Sequence, residues 1–60
     1  MDAAILRLPD VCRRVGLSKS QVYALIARQQ FPRQLRLSTR ASGWDARAIT
    51  AWIESRKVAA

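Results

Sequence analysis

The side chains best able to do chemistry in this sequence are cations and hydrogen-bond donors. Eleven Lys and Arg residues stand against four Asp and Glu residues, which gives a net charge of +7 on 60 residues. Most of the cations are arginine, whose planar fork of donors fits phosphate oxygens and the edge of guanine. This charge balance predicts an anionic partner, with nucleic acid first and an acidic membrane surface second.

The sequence lacks the residues on which catalytic and metal-binding sites usually depend. The sequence has no histidine and one cysteine, Cys12, and its four carboxylates are scattered along the chain. A general acid–base pair, a Ser-His-Asp set and a Cys/His metal site each need groups that are missing. We therefore expect no enzyme, no cofactor and no metal, and we expect Cys12 to be a small buried hydrophobe.

The first group of donors lies at the start of a predicted helix. Ser18-Lys19-Ser20-Gln21 has the S-x-x-Q form of a capping box, and apolar residues follow at helical spacing. An earlier apolar stripe ends at Gly16, which suits a helix C-terminus; its members are Leu8, Val11, Cys12 and Val15. Two short helices joined by a Gly-containing turn form a helix-turn-helix, whose second helix usually enters the DNA major groove.

The second predicted helix has two distinct faces, because successive residues turn by about 100°. Its core side holds Val22, Leu25, Ile26 and Gln29. Its other side carries small residues, which let a helix backbone come close to a groove. The alternative is an alanine-rich surface with no binding role. We expect major-groove contacts from five residues: Lys19, Ser20, Gln21, Tyr23 and Ala24.

The second group of donors lies in a predicted β-hairpin. Within residues 33–37 polar and apolar residues alternate from Gln34 to Leu37, and residues 38–44 return through a polar tip. The alternation predicts Leu35 and Leu37 facing the core and Arg36 facing out. A hairpin after a helix-turn-helix is a wing, and Arg40 at its tip suits the DNA backbone or minor groove. We expect backbone and wing contacts from six residues: Ser18, Arg28, Arg36, Ser38, Thr39 and Arg40.

The remaining segments complete one small domain over residues 1–60. Met1 to Arg7 is predicted to be a short arm, frayed at its start, with Ile5 and Leu6 on the core. Asp45 is predicted to cap a third helix that runs to about Lys57 and leaves a short frayed tail. Trp44 and Trp52 are expected to close the core over the first helix. The fold class is mainly α with a small β-hairpin, a winged helix-turn-helix.

Membrane association is not expected from this sequence. No run of about 20 apolar residues is present to span a bilayer. A cationic surface peptide would need one continuous amphipathic helix, which Gly16, Pro32 and Gly43 interrupt. The N-terminus shows no charged-then-apolar leader, so we expect a cytoplasmic protein.

Six blocks of the sequence resemble the AlpA family of phage and prophage regulators. They are Leu8-Pro9-Asp10-Val11, Gly16-Leu17-Ser18, Val22-Tyr23-Ala24-Leu25-Ile26, Phe31-Pro32, Arg40-Ala41-Ser42-Gly43-Trp44 and Ala51-Trp52-Ile53. That family resembles the DNA-binding domains of MerR-type regulators and phage excisionases. The resemblance implies a winged helix-turn-helix that binds double-stranded DNA. Members commonly have Thr or Ser where Gln21 stands, and a Gly-Pro type of wing tip where Ser38 and Thr39 stand.

Several functions stay open at this point. One is a transcriptional regulator, for instance of an integrase gene. Another is a recombination directionality factor that bends attachment-site DNA, with an integrase as partner. A third is a protein-interaction module without DNA binding, but its outward helix face should carry large apolar anchors and does not. Because one such module buries only about 600–1,000 Å² on DNA, we expect self-association or cooperative binding on repeated sites.

Overall fold

Three helices and a small antiparallel sheet form the described part of the chain. A computed structural model describes residues 5–59, with side chains for residues 5–57. The elements are β1 (Ile5–Leu6), α1 (Leu8–Val15), α2 (Lys19–Ala27), β2 (Leu35–Ser38), β3 (Ala41–Asp45) and α3 (Ala46–Ala59). The predicted fold class is confirmed, with the β2–β3 hairpin, the wing, between α2 and α3. The predicted fraying of the first residues lies outside the described part.

Helix α1 ends and helix α2 begins at local signals. Gly16 follows α1 in the left-handed conformation, with φ 72°, and its N–H donates to the Cys12 carbonyl at 2.9 Å. Helix α2 begins with the predicted capping box, which is confirmed. The Gln21 N–H donates to Ser18 Oγ at 3.2 Å, and the Ser18 N–H donates to Gln21 Oε1 at 2.9 Å.

The C-terminus of α2 comes earlier than the apolar spacing suggests. Gln29 adopts a left-handed conformation with φ 60°, and the N–H groups of Gln29 and Gln30 donate to the Ile26 and Leu25 carbonyls at 2.9 Å each. This is a Schellman-type ending, which satisfies the last carbonyls of the helix. The expectation that Gln29 lies on the core side of α2 was therefore wrong, because Gln29 is outside the helix and exposed.

The connector between α2 and the wing, residues 28–34, is held by the two tryptophans. Trp44 Nε1 donates to the Pro32 carbonyl at 2.9 Å, and Trp52 Nε1 donates to the Gln30 carbonyl at 2.8 Å. Phe31, which lies between Gln30 and Pro32, is buried. Its ring packs edge-to-face on Trp52, with 4.9 Å between the two ring centroids. The expectation for Trp44 is met, since it is fully buried. Trp52 is only half-buried and packs on the connector.

The core draws one buried apolar side chain from nearly every segment. Its buried members are Leu6, Val11, Val22, Phe31, Trp44 and Ile49. Half-buried Cys12 packs against this cluster, so it is less enclosed than expected. The short arm is only partly as predicted. Leu6 is buried, whereas Ile5 is 36% exposed, because successive residues of a strand point to opposite faces.

The three-stranded sheet has the order β1-β3-β2, with both pairs antiparallel. Leu35 pairs with Gly43, and Arg36 pairs with Ser42. Because Ser42 shares its face with buried Trp44, Arg36 lies on the helix-facing side and Leu35 lies on the outer side.

The predicted direction of the wing side chains was therefore wrong. Leu35 and Leu37 are 45% and 44% exposed on the outer face of the sheet. Alternation shows which residues share a face but not which face meets the core. Trp44 decides that here, since it is the large β3 side chain enclosed by the helices. Leu37 is also an extra residue in β2, because the register shifts between Arg36 and Ser38.

Helix α3 begins as expected and ends later than expected. Asp45 Oδ1 accepts from the Arg47 N–H at 2.8 Å, which is the geometry of an N-cap. The helix continues to Ala59, so residues 58 and 59 extend it and are not the predicted tail. Ile49 from this helix is fully buried, and α3 packs against both α1 and β3.

Gly43 is required by space at the centre of the sheet. A Cβ added there would lie 2.6 Å from Ile5 Cγ2 and 2.9 Å from the Leu6 carbonyl oxygen. We expect Gly43→Ala to cost about 1–3 kcal/mol of unfolding free energy, because the backbone at Leu6 must shift. Urea titrations followed by circular dichroism would measure it. Adding Ile5→Ala should recover part of the loss, and a Gly43→Ala variant as stable as the parent would contradict this close approach.

Candidate nucleic-acid interface

The N-terminal turn of α2 presents four polar side chains to solvent. Ser18, Lys19, Ser20 and Gln21 are all exposed. The capping box occupies Ser18 Oγ and Gln21 Oε1 as acceptors, which leaves the Ser18 hydroxyl hydrogen and the Gln21 amide hydrogens as donors. These donors lie at the positive end of the helix dipole. The turn therefore offers donors that suit an anionic or base-edge acceptor.

The middle of α2 separates a buried side from a flat exposed side. Val22 is fully buried, and Leu25 and Ile26 are half-buried, as predicted for the core side. On the opposite side Ala24 is exposed and Tyr23 is 41% exposed. Apart from Tyr23 this face carries small side chains, so the backbone of α2 at Ala24 can approach a groove closely.

An open cleft of about 650 Å³ separates the C-terminal half of α2 from the wing. It is lined by Ile26 and Ala27 from α2, by Arg33, Gln34 and Arg36, and by the wing residues Ser38, Thr39, Arg40, Ala41 and Ser42. The structure thus brings together four of the predicted site residues: Arg36, Ser38, Thr39 and Arg40. Arg28 follows α2 as its C-cap, and Tyr23 and Ala24 lie along the helix toward its N-terminal turn.

Six of the ten cleft residues were not predicted as site residues, and three of these six are polar: Arg33, Gln34 and Ser42. Arg33 and Gln34 were taken only as the polar start of the hairpin. The charge of Arg33 was a visible signal, but its position depends on the connector. That connector is fixed by the Trp44 bond to Pro32, a contact between residues 12 positions apart.

The charges of the described residues are distributed unevenly. Each described carboxylate has a cation on or beside its own helix: Asp10 with Arg13, Asp45 with Arg47 at 4.0 Å, and Glu54 with Lys57 at 3.2 Å. By contrast, none of the cations of α2, the connector and the wing has a described carboxylate within 4.0 Å. They are Lys19, Arg28, Arg33, Arg36 and Arg40. Outside this surface Arg7, Arg14 and Arg56 also have no described carboxylate within 4.0 Å, so five of the eight unneutralised described cations lie on this surface.

The described part of the chain has neither a metal-binding cluster nor a membrane-spanning helix. Within residues 5–57 no three His, Cys, Asp or Glu side chains come together to hold a metal ion. Within the described helices, none is long and apolar enough to cross a membrane. The cleft and the exposed side of α2, with the cations that surround them, are the candidate interface.

Comparison with known proteins identifies the family. A family model described as prophage CP4-57 regulatory protein (AlpA) matches residues 4–57. The chain belongs to the AlpA family. A curated relative, the uncharacterized protein ORF88 of Enterobacteria phage P4, is 39% identical over 51 residues. That match covers 85% of this chain and 58% of the relative, so this AlpA-family chain spans somewhat more than half the length of that protein. The resemblance inferred from the six sequence blocks is confirmed.

Proposed function

We propose that this AlpA-family protein binds double-stranded DNA and regulates transcription of a phage or mobile element in the bacterial cytoplasm. The observation that carries this proposal is the unneutralised charge on α2, the connector and the wing. Five cations lie there without a described carboxylate within 4.0 Å, while the described carboxylates pair elsewhere. A surface of this kind attracts the phosphate backbone and makes binding dependent on salt.

In this proposal α2 lies in the major groove. The groove is about 12 Å wide and admits a helix whose N-terminal residues reach the base edges. Lys19, Ser20 and Gln21 supply donors at that end, and Ala24 lets the backbone approach. Tyr23 can reach a phosphate through its hydroxyl. Ser18 donates to the backbone beside the helix N-terminus.

The wing and the cleft hold the DNA backbone next to the major groove. Arg33, Arg36 and Arg40 line the cleft and reach phosphate oxygens, while Arg28 does so from the end of α2. Ser38 and Thr39 add hydroxyl donors at the wing tip, from which Arg40 can enter the minor groove. Phosphate contacts of this kind position the protein without reading sequence.

A recombination directionality factor is a second use of the same surface. The proposed contacts extend from the start of α2 to the wing tip, which is more than the length of one helix. Contacts spread over such a distance favour bending of the DNA toward the protein. The location of protected DNA separates the two functions. Protection over a promoter supports the regulator, and protection within an attachment site, with an integrase bound nearby, supports the directionality factor.

Single copies of this module have too small an interface for high specificity. A module of this size buries about 600–1,000 Å² on DNA, below the range of larger specific complexes. We therefore include cooperation between several copies on repeated sites in the proposal.

The first test measures how affinity for duplex DNA depends on salt. If about four to six phosphates are neutralised, the plot of log affinity against log salt should have a slope of about −4 to −5. Arg33→Ala and Arg40→Ala should each lower that slope in magnitude by about 1 and weaken binding to all sequences alike. Fluorescence anisotropy on a labelled duplex of arbitrary sequence would measure both.

Arg47→Ala is the matched control for these variants. It removes the same charge from a side chain that is 95% exposed and pairs with Asp45 at the start of α3, away from the cleft. Its slope should equal that of the parent. A parent slope near zero, or equal slopes for Arg33→Ala and Arg47→Ala, would contradict the proposed role of the cleft.

A further inference from the structure

An apolar patch lies on the outer face of the sheet. Among the described residues four large hydrophobic side chains are more than a third exposed: Ile5, Tyr23, Leu35 and Leu37. All but Tyr23 surround Gly43. Leu35 is its strand partner, and a Cβ built on Gly43 would meet Ile5 at 2.6 Å and Leu37 at 3.2 Å. These three side chains form one continuous surface, the outer wing patch.

The outer wing patch faces away from the proposed DNA interface. Arg36 and Ser42 pair on the helix-facing side of the hairpin and line the cleft, whereas Leu35 and Gly43 pair on the opposite side. A duplex held by α2 and the cleft therefore leaves the patch exposed. Water would surround three apolar side chains there unless another surface covers them.

Cooperation between copies is part of the proposed function, and the charge of the chain limits where two copies can meet. Two copies with a net charge of +7 repel each other at most of their surface. The patch itself is uncharged. Of the other β3 residues on its face, Ala41 is uncharged and Asp45 is an acid whose carboxylate lies 4.0 Å from Arg47, so these two charges offset each other. Two copies can meet here with little repulsion while DNA neutralises their opposite sides.

The composition of the described surface also selects the way in which two copies meet. A patch pairs with itself across a two-fold axis or with a different apolar surface of the next copy. The remaining exposed large hydrophobe, Tyr23, lies on α2 at the proposed DNA interface. Contact between the outer wing patches of two copies is therefore the arrangement compatible with bound DNA. Its two-fold symmetry limits the assembly to two copies.

The small area of the patch determines when the contact forms. A stable interface buries about 800 Å² on each partner. Three side chains that are each more than half buried supply only a fraction of that. The contact is too weak to hold free copies together, but it adds to binding when DNA already holds two copies side by side.

We propose that the outer wing patch joins two copies of this protein wing to wing on inverted DNA half-sites. This inference rests on the proposed DNA binding. It places the two α2 helices at the outside of the site and the two wings at its centre. The free protein is a monomer, and the pair forms on DNA.

The test begins by selecting bound duplexes from a randomised DNA library. The selected sequences should contain two inverted half-sites. Gel-shift titration should then show that the first copy strengthens binding of the second by about 10-fold or more, within the usual range of coupling. A duplex with one half-site scrambled gives the single-site affinity. Direct repeats, or a selected site without a repeat, would overturn the proposal.

Variants of β2 separate the patch from the DNA interface. The double variant Leu35→Ser, Leu37→Ser should reduce the cooperative gain to less than about 2-fold and leave single-site affinity unchanged. Arg36→Ala, on the opposite face of the same strand, should lower single-site affinity and leave the cooperative gain intact. Unchanged cooperativity in the double variant would overturn the wing-to-wing contact. That outcome is also the one expected if the patch binds another protein and not a second copy.

A charge-exchange experiment keeps the test independent of folding. Leu37→Glu alone and Leu37→Lys alone should each lose cooperativity, because like charges face each other across the two-fold axis. An equal mixture of the two proteins should regain it. Failure of the mixture, with both variants folded by circular dichroism, would overturn the contact. A parent protein that binds no duplex would instead overturn the proposed function, and the paired binding with it.

Discussion

Ala24→Glu is expected to lower the affinity for duplex DNA by about 100-fold or more while the protein stays folded. Ala24 is exposed on α2, so the change costs the fold only a few tenths of a kcal/mol in helix propensity. In the major groove the same carboxylate lies between two rows of phosphates. Juxtaposed like charges cost several kcal/mol, and each 1.4 kcal/mol is a factor of ten in affinity. Thermal melting and gel-shift titration on the same samples would measure both effects.

Two matched controls separate charge, size and position. Ala51→Glu makes the same substitution at an exposed position of α3 and lowers the net charge equally, so its DNA affinity should fall only slightly. Ala24→Gln adds the same bulk without the charge and should show an intermediate loss. If Ala24→Glu binds DNA as the parent does while remaining folded, α2 is not the element that enters the groove. The wing or a protein partner would then be the site of function.

Trp44→Ala is expected to leave the protein largely unfolded at room temperature. Trp44 is 1% exposed, and its indole donates to the Pro32 carbonyl at 2.9 Å. Removing a buried Trp side chain costs about 3–5 kcal/mol. A single core in a chain this short rarely supplies more than about 3–5 kcal/mol in total, so little or no stability would be left. Far-UV circular dichroism with thermal and urea titration would measure the loss.

Two further variants, Trp44→Phe and Trp52→Ala, are compared with Trp44→Ala in the same measurements. Trp44→Phe keeps most of the buried ring and loses the indole bond, so it should stay folded with a lower melting temperature. Trp52→Ala should cost less than Trp44→Ala, because Trp52 is only half-buried. A Trp44→Ala variant that melts like the parent would mean that the core does not lie on the Trp44 face of β3.

The orientation of the wing follows from the same residue. Because Trp44 faces the helices, Ser42 and its partner Arg36 lie on the cleft side, and Leu35 with Gly43 lies outside. The proposed DNA contact of Arg36 and the proposed contact between copies at the outer wing patch therefore depend on one buried side chain. A hairpin turned the other way would hide the leucines and direct Arg36 away from the cleft.

Local signals in the sequence were sufficient to determine where α1 ends, where α2 and α3 begin, and the charge of the surface. The capping box at Ser18 and Gln21, the left-handed Gly16 and the Asp45 cap are set by neighbours a few positions away. Their geometry is therefore visible in residue types and spacing. The six sequence blocks likewise carried the family, and the net charge indicated an anionic partner.

Only the tertiary structure decided which way several side chains face. Alternation in β2 showed that Leu35 and Leu37 share a face, but the burial of distant Trp44 determined that this face is the outer one. Arg33 reached the cleft because bonds from the two tryptophans hold the connector. Periodicity is a property of neighbouring residues, whereas the side that meets the core depends on which large residues from distant segments fill it.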